Sequence, residues 1–345
     1  MERVHAHLEE FLVEYCEDLP EYIPCLLEPP SPVDFLNEYV YLNLPFVIHY
    51  KEPPFPAVGL WNESKYLREK MGKEKVTVAV TPNGLADAVV NDLFMLPEER
   101  EMEFTTFLDE LGHPPLDQVF YLQKQNNNLI EEFSPLTCDI DTHITWATEA
   151  FGNEPEAVNI WIGDNRSVSS MHKDHYENLY YVIVGTKKFD LYPPVASCWM
   201  PYKKYKKYQW YYEDKQWKMK DLNEEIKWIS SDKKPETPKK LLLYCKTKSF
   251  CVELEPGQCL FIPALWYHEV RQSEFCIAVN YWYNMKFDSK YPFMRLYENL
   301  CNLPILSIDA AVDIQTDLEE SLCLELTKAS LKKNEKDSPK KIIKK

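Results

Sequence analysis

The sequence is short of glycine, with 8 Gly against 25 Pro in 345 residues. Neither G-x-G-x-x-G nor G-x-x-x-x-G-K-[ST] occurs, so the glycine-rich loops that cradle dinucleotides and nucleotide phosphates are missing. No two of the ten Cys are spaced C-x-x-C, which leaves out the common redox pair and the zinc-ribbon pattern. None of the Cys stands out as a nucleophile; scattered core thiols are expected. No apolar run reaches the roughly 18 residues of a membrane span. The N-terminus, "MERVHAHLEEFLVEYCEDL", is acidic and amphipathic rather than a signal peptide. Free thiols without a leader point to a reducing compartment, cytoplasmic or nuclear, and to no membrane association.

Charge of one sign is also scarce in most of the chain. The formal net charge is -16, yet the last eighteen residues carry eight Lys against two acids, so the preceding body is more acidic still. A second basic stretch, 203 to 248, holds fourteen Lys and seven acids. An acidic body favours solubility and a basic protein partner. The run "YKKYKKYQWYY" interleaves bases with aromatics in the manner of single-strand nucleic-acid grips. A solvated, mobile insertion at 199–248 accounts for it more simply, so nucleic acid is not the expected partner.

Aromatic and β-branched residues are plentiful: 14% of the chain is Phe, Trp or Tyr, enough for a packed core. Residues 5 to 19 follow helical spacing through Leu8, Phe11, Leu12, Tyr15 and Leu19. Short apolar runs follow, including "PFVIHY", "KVTVAV", "QVFYLQKQ", "AVNIWIG", "NLYYVIVG", "KKFDLYPP", "SFCVELE", "GQCLFIPA" and "FCIAVNYWY". Pro, Gly or Asn punctuates them, which is the pattern of strands. Helical stretches are expected at both ends and near 61–72, 85–91 and 104–111. Many short strands with few helices between them predict a mainly β fold, a double-sheet jelly roll. The expected organisation is an N-terminal helical and strand region over 1–115, a β core over 116–290, a helical region over 291–327 and a disordered basic tail over 328–345. The N-terminal helix and "YPFMRLYENLC" offer apolar faces that either pair two copies as a homodimer or pack on their own barrel.

One stretch concentrates polar chemistry: "MHKDHYENLYYVIVGTKKFDLYPP", residues 171 to 194. Gly185-Thr186 suits a two-residue hairpin turn, which would pair Val184 with Lys187. Alternation along both strands then turns His172, Asp174, Asn178 and Lys187 inward and His175 and Lys188 outward. A His and an Asp two positions apart on one face can share a metal. With one further His they make the facial set of a non-haem ferrous site. His268, in "PGQCLFIPALWYHEV", is the only His after His175 and hence the C-terminal candidate. An inward Lys187 needs an anion, and the far carboxylate of a metal-chelating diacid would supply one. Asn280 lies among apolar residues in "AVNYWY", where its amide must find partners.

Together, H-K-D at 172–174, Lys187, His268 and "VNYWY" resemble the JmjC family of Fe(II)- and 2-oxoglutarate-dependent oxygenases. "VAVTPNGLADAV", "YLQKQNNNL", "SMHKDHYENLY" and "PALWYHEVRQS" extend the resemblance to the small protein hydroxylases of that family, over roughly residues 30 to 300. The resemblance implies a double-stranded β-helix, cupin-like core with helical additions at both ends. It implies Fe(2+) ligands at His172, Asp174 and His268, and 2-oxoglutarate contacts from Lys187 and Tyr121 with Ser169, Asn178 and Asn280 nearby. It implies O2 as second co-substrate, with succinate and CO2 released. Ser169 stands where the family commonly has Thr, which keeps the hydroxyl. The implied activity is (3S)-hydroxylation of a lysyl residue in a GTP-binding protein of the developmentally regulated, TRAFAC class. Alternatives at the same centre are N-methyl-lysine demethylation and peptidase action on methylated histone tails; the residues alone do not choose among them.

Overall fold

The run "KKFDLY" alternates inner, buried residues with more open ones, whereas "YENLYYVIV" is buried at nearly every position. The second strand has protein on both of its faces, and a continuous apolar run is what that position demands. The structure, a computed structural model, describes residues 2–230, 235, 237–273 and 275–301. Strands are numbered in chain order. The larger sheet runs β1 (Cys25–Leu26), β2 (Phe46–His49), β16 (Gln258–Ile262), β11 (Tyr176–Val184), β18 (Cys276–Asn284), β9 (Ala157–Gly163). The smaller runs β15 (Phe250–Leu254), β12 (Lys187–Tyr192), β17 (Tyr267–Gln272), β10 (Val168–His172), β4 (Leu85–Ala86). A third sheet holds β14 (Gln216–Ile229), β13 (Tyr202–Glu213), β6 (Leu93–Leu96) and β5 (Ala88–Val90), and a fourth holds β7 (Glu98–Glu103), β3 (Lys75–Thr81) and β8 (Val119–Tyr121).

The first two sheets face each other as the expected jelly roll. Val182, Phe189, Leu191, Leu260, Trp266 and Ala278 fill the space between them. A larger apolar cluster, including Phe35, Trp61, Val78, Phe107 and Tyr281, covers the outside of the larger sheet. On the outside of the smaller sheet, the N-terminal helix Glu2–Asp18 places Leu8, Leu12 and Cys16 against Trp199 and Tyr267. Tyr297 of helix Lys290–Cys301 joins them. Residues 302–345, which include the rest of the expected C-terminal helical region and the basic tail, lie outside the described residues. Among the described residues no helix is long and apolar enough to cross a membrane.

Three local expectations change. First, β11 and β12 form no hairpin. β11 pairs with β16 and β18, and β12 pairs with β15 and β17. The chain instead crosses between the sheets at Gly185, where φ is +72°. An added Cβ there would lie 2.1 Å from the Phe275 carbonyl oxygen, so the crossing needs glycine. A register shift between Val182 and Val184 turns Val184 into the outer cluster. The inward set still holds, because the two strands face one another across the sandwich. Second, residues 85–91 are not helical. They form β4 and β5, broken at Asp87 with φ +53°. Third, the described part of 199–248 is regular structure, with β13 and β14 paired from Tyr202–Ile229 out to Glu213–Gln216 and a helix at Pro238–Lys246. Parallel pairing with β6 docks this ribbon against the core.

Candidate metal centre

β10 and β17 run antiparallel with His172 directly opposite His268, and their ring centroids are 4.2 Å apart. Asp174, just past the end of β10, places Oδ2 3.6 Å from Nε2 of each ring. One ligand atom from each of the three lies within 4.8 Å of the others. The backbone fixes which nitrogen faces the centre. His172 Nδ1 lies 2.6 Å from the Ser170 carbonyl oxygen, and His268 Nδ1 lies 3.0 Å from that of Trp266. A ring that donates through Nδ1 presents Nε2 as a lone pair, the form that binds a metal. The turn before His268 is braced for this purpose. Leu265 takes φ +70°, its N–H donates to the Asp174 carbonyl, and the Trp266 indole donates to Asn43.

Electrostatics reinforce the cluster. Burial pushes the Asp174 carboxyl up, but the facing imidazoles outweigh it and hold its pKa at about 2. Burial also disfavours the charged form of both rings. In His172 the adjacent Asp174 carboxylate overcomes this and raises the pKa; in His268 burial and the facing His172 push it down to about 4. Two imidazoles and one carboxylate converging from one side, with a cleft on the other, form the donor set suited to a non-haem ferrous ion.

Deeper in the sandwich, Lys187 is 1% exposed. Its Nζ donates to Tyr121 Oη at 3.1 Å and to Gln272 Oε1, and it sits over the Tyr121 and Tyr180 rings. Among the described residues no carboxylate lies within ion-pair distance of it, so the ammonium is buried with neutral partners only. A carboxylate ligand would remove that penalty. Gly163 makes the pocket possible. An added Cβ would lie 2.6 Å from both Gln272 Nε2 and Tyr121 Cδ2, so only glycine lets these side chains close on Lys187. Beside the pocket, the Trp161 indole donates to Asn280 Oδ1 at 2.8 Å, and Asn280 Nδ2 donates to Asn178 Oδ1 at 3.1 Å. The Nδ2 of the adjacent Asn159 is buried without a partner.

The sequence-derived residues therefore fall into two neighbouring groups, His172, Asp174 and His268 in one and Lys187 and Tyr121 in the other. Asn178 and Asn280 form a buried amide pair on the same inner wall. Ser169 lines the cleft that opens beside His172 and Asp174, a cavity of about 450 Å³. His175 and Lys188 point outward, as expected. Gln272, Trp161, Asp87 and Gln123 were not anticipated. Gln272 had a signal, since it lies four residues beyond His268 on one strand and so shares its face. Asp87 had none, because it faces the cleft only through a left-handed break between two strands. Burial pushes its carboxyl pKa up.

Comparison with known proteins agrees with this architecture. Residues 32–289 match the cupin-like domain family. The chain is 38% identical to the bifunctional peptidase and (3S)-lysyl hydroxylase JMJD7 of Homo sapiens, over 87% of this chain and 96% of that protein. It is 37% identical to the lysine-specific demethylase JMJ32 of Arabidopsis thaliana, over 79% of this chain and 84% of the relative. JmjC domain-containing protein E of Dictyostelium discoideum is 29% identical over 83% of this chain and 94% of its own length. A jelly roll with this sequence across nearly its whole length places the chain in the cupin-like JmjC family.

Proposed function

We propose that the chain is a ferrous, 2-oxoglutarate-dependent protein hydroxylase that oxidises a lysyl residue at the (3S) position. GTP-binding proteins of the developmentally regulated class are the first candidate substrates. The observation that carries the reading is Lys187: a buried ammonium with no anion in contact among the described residues, facing the same inner space as a two-His, one-Asp donor set. A metal alone would not call for it; a metal chelated by a diacid does. The similarity to a named (3S)-lysyl hydroxylase over most of both chains points to the residue type oxidised.

His172, Asp174 and His268 would hold Fe(2+) from one side. Lys187 and Tyr121 would bind the far carboxylate of 2-oxoglutarate, in charge-assisted hydrogen bonds. With O2, the bound iron and 2-oxoglutarate supply an oxidant able to hydroxylate an unactivated C–H bond, with succinate and CO2 as co-products. The protein's own work is placement. Ser170 and Trp266 carbonyls fix the imidazole tautomers. Gln272, itself tied to the Asp164 carbonyl at 2.9 Å, orients the Lys187 ammonium. The cleft wall aims the substrate C–H bond and limits water.

Tandem mass spectrometry of candidate GTPase peptides, incubated with the protein, Fe(II), 2-oxoglutarate and O2, tests the proposal. The expected product carries one added oxygen on a lysyl residue. The name of the Arabidopsis relative gives demethylation a specific claim. Loss of a methyl group from methyl-lysine with release of formaldehyde would transfer the assignment to that reaction. Cleavage of methylated histone peptides without 2-oxoglutarate would transfer it to a peptidase.

A further inference from the structure

The cleft beside the metal ligands contains four charged side chains besides Asp174: Asp87, Glu99, Lys124 and Lys207. Three of them are accounted for. Lys124 Nζ lies 3.7 Å from Glu99 and 3.4 Å from Thr77 Oγ1, and Lys207 Nζ lies 3.0 Å from Glu224. Asp87 is different. Its Oδ2 accepts one neutral hydrogen bond, from Gln123 Nε2 at 3.1 Å. Among the described residues no Lys or Arg lies within ion-pair distance of its carboxylate. His172 and Lys207 act on it only at longer range, and a half-buried carboxylate turned into a cleft with no cation in contact is a place for one to come from outside.

The backbone is arranged to hold it there. Asp87 takes a left-handed φ of +53°, at the point where the chain leaves β4 in the core sheet for β5 in the ribbon sheet. Conformations of this kind are uncommon outside Gly and persist where the surroundings enforce them, often at functional sites. Here Ser170 Oγ donates to the Asp87 carbonyl at 3.0 Å, and the Ser170 carbonyl in turn faces His172 Nδ1. Ser170 thus ties the Asp87 backbone to a metal-ligand candidate and fixes where the carboxylate starts from. One part of the wall is apolar. Phe94 and Trp228 lie with ring centroids 4.9 Å apart, beside Ile226 and Ala79. An apolar strip leading to a carboxylate with no cation in contact matches a side chain with a methylene stem and a cationic head.

We propose that Asp87 anchors the ammonium of the substrate's lysyl side chain, with the methylenes laid along Trp228 and Phe94. The assignment rests on the lysyl hydroxylase function proposed above. It makes Asp87 a substrate-binding and specificity-determining residue. Trp228 enters the cleft from the ribbon at 199–248, so the Lys-rich insertion contributes to substrate choice through an aromatic side chain.

The test uses the anaerobic holoprotein with Fe(II) and 2-oxoglutarate and three small probes: the Nα-acetyl amides of L-lysine, L-norleucine and L-arginine. Broadening of the probe's proton resonances by the paramagnetic centre reports binding near the metal. The expected result is broadening for lysine, at an apparent affinity at least about tenfold above that for norleucine, which has the stem without the charge. Asp87→Asn, which keeps the shape and tolerates the left-handed backbone, is expected to weaken the lysine probe by at least about tenfold and leave norleucine unchanged. Equal binding of lysine and norleucine, no lysine binding to the wild type, tighter binding of arginine, or undiminished lysine binding to Asp87→Asn would each overturn the proposal. The wild-type comparison needs no variant to fold. Peptide hydroxylation separates the two claims. If lysyl peptides are hydroxylated while Asp87→Asn binds the lysine probe normally, the anchor is wrong and the function stands. If the probe results hold while no lysyl peptide is oxidised, the anchor stands and the reaction is wrong.

Discussion

Lys187 combines two opposing effects in one side chain. A buried ammonium that hydrogen-bonds Tyr121 and Gln272 destabilises the protein without ligand, and the same group would bind a carboxylate strongly. Lys187→Met is therefore expected to leave the ligand-free protein as stable as the wild type or more so in thermal unfolding. Calorimetry should show its affinity for 2-oxoglutarate reduced by about 10- to 100-fold. Loss of stability with retained affinity would mean that the ammonium serves the fold. Gly163→Ala tests the pocket from its floor. The new methyl must displace Gln272 and Tyr121, so a stability loss of about 1–3 kcal/mol in chemical denaturation and weaker 2-oxoglutarate binding are expected together. At this scale much of the site was legible in the sequence. His172, Asp174 and Lys187 do face one inner space, although the parity that reached them assumed a hairpin the chain does not form, and His268 is the one late histidine. Gln272 follows from the same parity applied to β17. Asp87 does not, because a single left-handed residue has no periodicity to read.

At the scale of elements, β11 joins the loop that carries Asp174 to the core and has a buried carboxylate at its second residue. Glu177 Oε2 accepts from the Ala264 N–H at 3.1 Å. Burial raises its pKa from 4.5 to about 7, against the opposing pull of that hydrogen bond and of Lys290. The unfolded chain releases this proton near pH 4.5, whereas the folded chain keeps it until about pH 7. Folding stability from this group is thus present at acidic pH and falls as pH rises through that window. Glu177→Gln keeps an acceptor and removes the charge. Urea denaturation should find it close to the wild type at pH 5 and more stable at pH 8, by up to about 3 kcal/mol. An equal difference at both pH values would deny the raised pKa. The elements also show where local reading fails. Gly185-Thr186 has the composition of a hairpin turn, yet it carries the chain between sheets, because β11 pairs with β16 and β18 while β12 pairs with β15 and β17; the glycine is needed where the Phe275 carbonyl leaves no room for a Cβ. Residues 85–91, "LADAVVN", are a short, mostly apolar run that suits a helix or a strand equally. Pairing of β4 with β10 and of β5 with β6 decides for strands.

At the scale of the whole molecule, the core is a jelly roll because its short, apolar strands pair into two sheets that face each other, with the helices packed outside them. That much follows from composition and pattern. The Lys-rich segment misled because its charges alternate with aromatics along a ribbon. Lys203, Lys204 and Lys206 belong to its solvent side or edge, while Tyr205, Ile226 and Trp228 pack with Phe94 beside the cleft. Charge density reported the outer face and hid the inner one. The central claim concerns convergence: residues from two strands almost a hundred positions apart bind one ferrous ion and, with Lys187, one 2-oxo diacid. Anaerobic titration of Fe(II) into the protein with 2-oxoglutarate, followed by the visible charge-transfer band of the ferrous 2-oxo-acid chelate and by metal analysis, tests it directly. One iron per chain and a saturable band are expected for the wild type, both lost in Asp174→Ala and in His268→Ala, with the band requiring more 2-oxoglutarate in Lys187→Met. A full band and full iron content in His268→Ala would contradict the account.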